Sequence, residues 1–184
     1  MGQARVDTIA REFALTIEWK SFELHPGVPP EGMALPYSPE RIAEGQARLE
    51  TAAAAEGLAY GRRSHWFDTR PAHEATLWAA DLGAADRMKR AIFPAYFVEG
   101  RNIGSPEVLA EIATAVDLDG ADLRAALEEG RYAEAVSAQF AEARAIGVTA
   151  VPTFVIADRY AIMGAHPVEG FRQMLGRVRA PRRD

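Results

Sequence analysis

The sequence predicts an α/β fold in which a long helical block interrupts a smaller strand-bearing core. Three observations predict it. Leu15-Thr16-Ile17-Glu18-Trp19-Lys20 alternates apolar and polar, and β-rich runs follow at Thr153–Ile156 and Tyr160–Gly164. Between them, residues 38–146 carry helix starts, helical periodicity and glycine stops in succession. Val151-Pro152 then sets a proline at the head of a strand that otherwise reads as buried, where its missing N–H needs a special reason. The chain accordingly divides into 1–37 and 147–184, two parts of one core, with 38–146 inserted.

In chain order, residues 3–13 form a helix with Val6, Ile9, Ala10 and Phe13 on one face, starting without a convincing cap. The half-buried strand at 15–20 continues as extended chain through Ser21–Pro26 into the loop Gly27-Val28-Pro29-Pro30-Glu31-Gly32. Ser38-Pro39-Glu40 caps a helix that stops at Gly57, its alanines at 52–55 strongly helix-favouring. After a linker at 61–67, a helix follows Pro71 with Ala75, Leu77, Trp78 and Leu82 as its buried positions. The next spans Ala84–Phe97, and Pro94 should kink or break it. Ser105-Pro106 opens a helix carrying Val108, Leu109, Ile112 and Val116, and Asp119 caps another that ends at Gly130. Tyr132, Val136 and Phe140, spaced by four, carry the last helix of the block to Ile146. Beyond the hairpin, Val168, Phe171, Leu175 and Val178 give the final helix an apolar face for the sheet.

Composition excludes several classes of function. The chain has 184 residues, 48% hydrophobic and 26% charged, and no apolar run approaches the ~18 residues of a membrane span. The first residues lack the apolar stretch of a signal peptide, so the cytoplasm is the expected compartment. A net charge of −5 argues against a nucleic-acid surface, and the Arg177–Arg183 tail reads as a solvated, frayed terminus. With no cysteine, the 184 residues hold no disulfide, thiolate nucleophile or thiolate metal ligand. His25, His65, His73 and His166 are scattered, none at His-x-x-x-His spacing, so no zinc site is expected.

A trans proline opening the strand is the ordinary reading of Val151-Pro152, since cis bonds are about 5% of X-Pro bonds. The surrounding sequence weighs the other way. The run GVTAVPTFVI, the turn Ala157-Asp158-Arg159, the strand after it and the last amphipathic helix resemble the C-terminal half of a thioredoxin fold. IEWKSFELHPGVPPEG and FPAYFVEGRNIGSPEVLAEIA narrow the likeness to the DsbA-like family, FrnE-type branch, over nearly the whole chain. The resemblance implies a thioredoxin-like core interrupted by helices, a cis bond before Pro152, and thiol–disulfide oxidoreductase activity on protein or peptide substrates. It also implies that Thr149, Val151 and Pro152 belong to a substrate groove, with Val151 pairing its backbone with the substrate; the plainer reading is that they end a strand. No cofactor is called for.

Against that pattern the first core strand and its Cys-x-x-Cys are missing, and Met1–Val6 align just after the motif. The missing strand is central in the fold, so its loss leaves two inner edges of unpaired N–H and C=O groups, each costing on the order of 1–3 kcal/mol if buried. The leading expectation is an N-terminally truncated oxidoreductase. A natural cysteine-less relative, or a strand supplied by a partner chain, stays open, and a homodimer with it.

A sister branch, the kappa-class glutathione transferases and 2-hydroxychromene-2-carboxylate isomerases, replaces the cysteine by serine and binds glutathione across the same proline. Its Gly-Ser-Asp segment is here Gly164-Ala165-His166, without the hydroxyl and carboxylate. A non-catalytic peptide-binding module is the third reading. His166 before Pro167 reads as a surface residue at a helix start, and His65-Trp66 as packing.

Overall fold

A computed structural model describes residues 2–164 and 166–179. Helix α1 (Gly2–Phe13) leads into an extended segment and then β1 (Met33–Ala34), α2 (Pro39–Ala54) and β2 (His65–Trp66). Four helices follow, α3 (Arg70–Asp81), α4 (Ala85–Phe97), α5 (Pro106–Ala115) and α6 (Gly120–Glu128), and then α7 (Ala133–Ala145). The chain closes with β3 (Thr153–Ile156), β4 (Tyr160–Met163) and α8 (Val168–Arg179). The tail expected to fray runs on from α8 and lies outside the described residues from Ala180.

Capping chemistry sets the helix starts. Ser38 Oγ accepts the Arg41 N–H at 3.4 Å and Ser105 Oγ that of Val108 at 3.3 Å, each before a proline that has no N–H to satisfy. Asp119 accepts from Ala121 and Asp122 at 2.9 and 3.1 Å. Helices α3 to α6 then enclose one core around Met88, Leu109 and Leu123, with Trp78 buried beside them and its indole N–H on Asp122 at 2.8 Å. At Gly120 a Cβ would lie 2.3 Å from the Ala110 carbonyl oxygen, so only glycine lets α6 approach α5 this closely.

A second core joins the two ends of the chain. Ile9 of α1, Ile162 of β4 and Phe171 and Leu175 of α8 are buried together, with Phe13, Leu15, Phe154 and Ile156 packed on them. Phe154 meets Phe171 edge to face at 4.7 Å. The β3–β4 hairpin turns through Ala157 and Asp158, both left-handed at φ 51° and 52°.

Four expectations need correction. Residues 15–20 form no strand: the described residues contain two sheets of two antiparallel strands, β1–β2 and β3–β4, and neither includes that segment. An alternating pattern makes a strand only where a neighbour pairs with it, and the segment finds none. Side chains hold it instead. Ser21 N–H donates to Gln139 Oε1 at 2.8 Å, the His73 ring hydrogen-bonds the Phe22 carbonyl at 3.2 Å, and Lys20 pairs with Glu142 at 3.1 Å. Second, β3 is not buried: it pairs with β4 alone, and Val155 is 47% exposed. Third, helix α4 runs on past Pro94 to Phe97 without a break: the proline forfeits only its own N–H bond, and its carbonyl still accepts from Val98 and Glu99. Fourth, Leu82 is exposed just beyond the end of α3, where the helical stripe no longer applies. The two-residue bridge β1–β2 was not legible; it falls in loop sequence and is held by Trp66 stacking on His25 at 3.8 Å.

Truncating Phe171 to alanine should cost about 3–5 kcal/mol in urea unfolding, the range for a buried aromatic. Burial pushes the His73 imidazole down to about 4, against the opposing pull of the Phe22 carbonyl. A folded-state value below the unfolded one means that stability is full above about pH 6.5 and falls as pH drops toward 4. The loss should reach about 3 kcal/mol, and His73→Gln, which keeps a donor for Phe22, should flatten that part of the pH profile in denaturation experiments.

Candidate functional site

The loop from Gly147 to Pro152 connects α7 to β3, and its conformation is set at both ends. Gly147 takes φ 80°, the left-handed geometry that ends α7, and its N–H and that of Val148 bond back to Arg144 and Ala143. At the other end Thr153 Oγ donates to the Ala150 carbonyl at 2.7 Å, and Gly164 N–H donates to the Pro152 carbonyl at 2.7 Å. The Val151–Pro152 bond is cis.

All three residues expected in a groove lie on this loop. Thr149 is exposed, Val151 is 47% exposed, and Pro152 is half-buried. Among the described residues, neither the N–H nor the C=O of Val151 has a hydrogen-bond partner. Both groups are therefore open to an incoming strand at an exposed position.

Pro152 is packed against the start of α1. A Cβ on Gly2 would lie 3.2 Å from Pro152 Cγ, so the proline ring touches the helix at its first turn. That turn carries no acidic side chain of its own, and the helix dipole favours negative charge there.

Around this end sits a polar cluster that the sequence reading missed. Gln3, buried on α1, donates from Nε2 to Asp86 Oδ1 at 3.0 Å. Lys89, also buried, lies 3.4 Å from the same carboxylate and 3.7 Å above the Trp19 ring. Burial draws the Lys89 ammonium below the usual lysine range, with Asp86 opposing, and hydrogen bonding from Arg90 holds Asp86 below the usual carboxylate range. Only the helical spacing of Asp86 and Lys89 on α4 could have flagged the cluster; their meeting with Gln3 and Trp19 is tertiary.

His166 lies at the surface, where its ring hydrogen-bonds the Met163 carbonyl at 3.0 Å and its own carbonyl accepts from Arg5 at 2.9 Å. Ala165 lies outside the described residues. Trp66, stacked on His25 with Tyr37 at its edge, serves packing. Among the described residues no group of three His, Asp or Glu side chains could hold a metal, and no helix is long and apolar enough to cross a membrane.

A family model described as the DSBA-like thioredoxin domain matches residues 1–176. The chain is 29% identical over 168 residues to the uncharacterized protein YwbO of Bacillus subtilis, covering 86% of this chain and 80% of that one. Among solved structures it resembles a probable DsbA oxidoreductase from Streptomyces coelicolor, with TM-score 0.88 and 30% identity, covering 100% of this chain and 86% of the other. A 2-hydroxychromene-2-carboxylate isomerase shares the fold at TM-score 0.73 and 17% identity, covering 96% of this chain and 88% of the other.

Proposed function

Because the chain belongs to the DsbA-like thioredoxin family, we propose that Thr149, Val151 and Pro152 form the substrate-binding part of a thiol–disulfide exchange site. The observation that carries this reading is the unpartnered main chain of Val151, exposed beside Pro152 at the start of α1. An extended peptide laid along Val151 would return a hydrogen bond to each of its two open groups, as an added strand does.

The chemistry needs a thiol that these 184 residues do not contain. A thiolate attacks one sulfur of the substrate disulfide and forms a mixed disulfide, releasing the other sulfur as a thiolate. A second thiol then displaces the bound sulfur, so the substrate leaves as two thiols and the attacking pair becomes a disulfide. The start of α1 would favour the attacking group as its anion, because the dipole there stabilises negative charge. The chain's own residues bind and orient the substrate in this scheme, and the cytoplasm is its proposed compartment. No resident cofactor is proposed.

The resemblance to the sister branch gives a second reading, glutathione bound at the same loop, a ligand present in the solved structure of the cytosolic disulfide reductase DsbM from Pseudomonas aeruginosa, which shares the fold. Gly164-Ala165-His166 offers neither the hydroxyl nor the carboxylate that the sister branch uses there, which ranks this reading second.

Intact mass and thiol labelling of the protein from its native cells test the chemistry directly. A mass above 20.0 kDa with two or more labelled thiols supports exchange. A mass of 20.0 kDa with none overturns it and leaves a binding module. Binding is tested apart from chemistry by adding a disulfide-bridged peptide, or oxidised glutathione, to isotope-labelled protein. The amide resonances of Thr149, Val151 and Thr153 should shift together and saturate; shifts elsewhere alone would remove the groove. A response to glutathione and not to peptide would exchange the first reading for the second.

A further inference from the structure

We propose that the segment Arg62–His65, together with the turn at 99–100, forms a binding site for an oxyanion, the carboxylate or phosphate of a small ligand. The proposal is independent of the thiol reading. A cavity of about 190 Å³ lies there, lined by Arg62, Arg63, Ser64, His65, Phe67, Glu99 and Gly100. It is smaller than the ~300–1,000 Å³ of sites that enclose whole drug-sized ligands, so it fits an anion or the charged end of a larger molecule.

The decisive residue is Arg63. Its guanidinium lies over the faces of Tyr96 and Phe97, at 4.7 and 4.8 Å from the ring centres. Those contacts use the face of the cation and leave its in-plane N–H groups to find acceptors. Nη2 reaches only the Tyr60 hydroxyl, at a long 3.4 Å, and Nε is shut off from solvent with no partner among the described residues. No carboxylate lies within ion-pair distance of Arg63 among the described residues, in contrast to Arg90, Arg131 and Arg172. A charged donor left without an acceptor is costly, and the Nε–Nη2 edge of arginine is the fork that takes an oxyanion through two bonds once the side chain turns Nε toward the cavity.

The neighbours add donors. Arg62 is exposed and makes no ion pair or hydrogen bond among the described residues. Ser64 Oγ and His65 Nδ1 lie 2.8 Å apart and hydrogen-bond each other, which leaves the exposed Nε2 side of the ring at the cavity. Glu99 is the one carboxylate in the lining. It is exposed and pairs with neither arginine, so water screens it.

The site is held by its backbone. Gly61 N–H donates to the Phe97 carbonyl at 2.8 Å, and a Cβ on Gly61 would lie 2.1 Å from the Val98 carbonyl oxygen. That contact pins the segment along the end of α4, while Gly100 turns away at φ 70° and the Arg63 carbonyl accepts from Gln46 Nε2. The backbone of the segment is thus fixed before any ligand arrives, which lowers part of the ordering cost of binding.

The test is a titration of the labelled full chain with inorganic phosphate and, separately, with acetate. Saturable shifts of the Arg63 Nε–H and Gly100 amide signals are expected with at least one anion. Phosphate alone acting would identify a phosphoryl ligand; acetate acting equally well would identify a carboxylate. Arg63→Lys, which keeps the charge and loses the fork, should weaken binding about tenfold, as losing one charged hydrogen bond does. Arg62→Met, at an exposed position that should not disturb folding, should weaken it several-fold, and exposed Arg87→Met should leave it unchanged. No saturation with either anion, or equal binding by wild type, Arg63→Lys and Arg62→Met, overturns the proposal.

Discussion

The burial of one face of α1 is the constraint on which the rest depends. Ile9 is buried against residues of β4 and α8, so α1 closes the second core. Its other faces reach the helical block: Gln3 bonds Asp86, Asp7 pairs with Arg90 at 2.7 Å, and Arg5 pairs with Glu56 at the end of α2. Glu12 binds Arg172 of α8 through both oxygens at 3.0 Å. The exposed pairs Asp7–Arg90 and Glu12–Arg172 each contribute little, about 0–1 kcal/mol, so their role is direction more than strength. The apolar face fixes where the helix lies, and the charges fix how its first turn meets Pro152.

The thin sheet explains the surface on the strand-bearing side. With β3 paired on one side only, Val151 and Val155 are each 47% exposed, and in the unpaired segment Ile17 and Trp19 are 40% and 42% exposed. In a thicker sheet, alternate residues of each strand would face a helix layer and be covered. Here the segment is fastened by polar contacts to Gln139, His73 and Glu142, which orient a chain without covering its apolar side. Lys89 over the Trp19 ring is a partial substitute, shielding one aromatic face with a buried cation.

Elements with local causes were legible in the sequence. Ser38, Ser105 and Asp119 cap the helices they were expected to cap, and the Val136–Phe140 spacing marks the face that α7 buries. The hairpin and α8 follow the apolar pattern of residues 153–178. What failed depended on a neighbour. The alternation at 15–20 reads correctly as extended chain but cannot report whether a ladder partner exists, and β1–β2 rests on the stacking of Trp66 with His25, 41 positions apart in the sequence. Thr149, Val151 and Pro152 could be read as parts of one loop because they fall within four positions. The contact of Gly2 with Pro152, and the meeting of Gln3, Asp86 and Lys89, join residues too distant in the chain for any spacing rule to register.

The pairing of α1 with α8 also has a meaning in time. Glu12 and Arg172 are 160 positions apart, so a ribosome adding about 5–20 residues per second makes the two helices roughly 10–30 s apart. Helices α3 to α6 bury their core through near neighbours and can consolidate as they emerge. Of the described elements helix α1 is the earliest made and among the last completed: its apolar face waits for α8. During synthesis, that face is the surface a chaperone would meet.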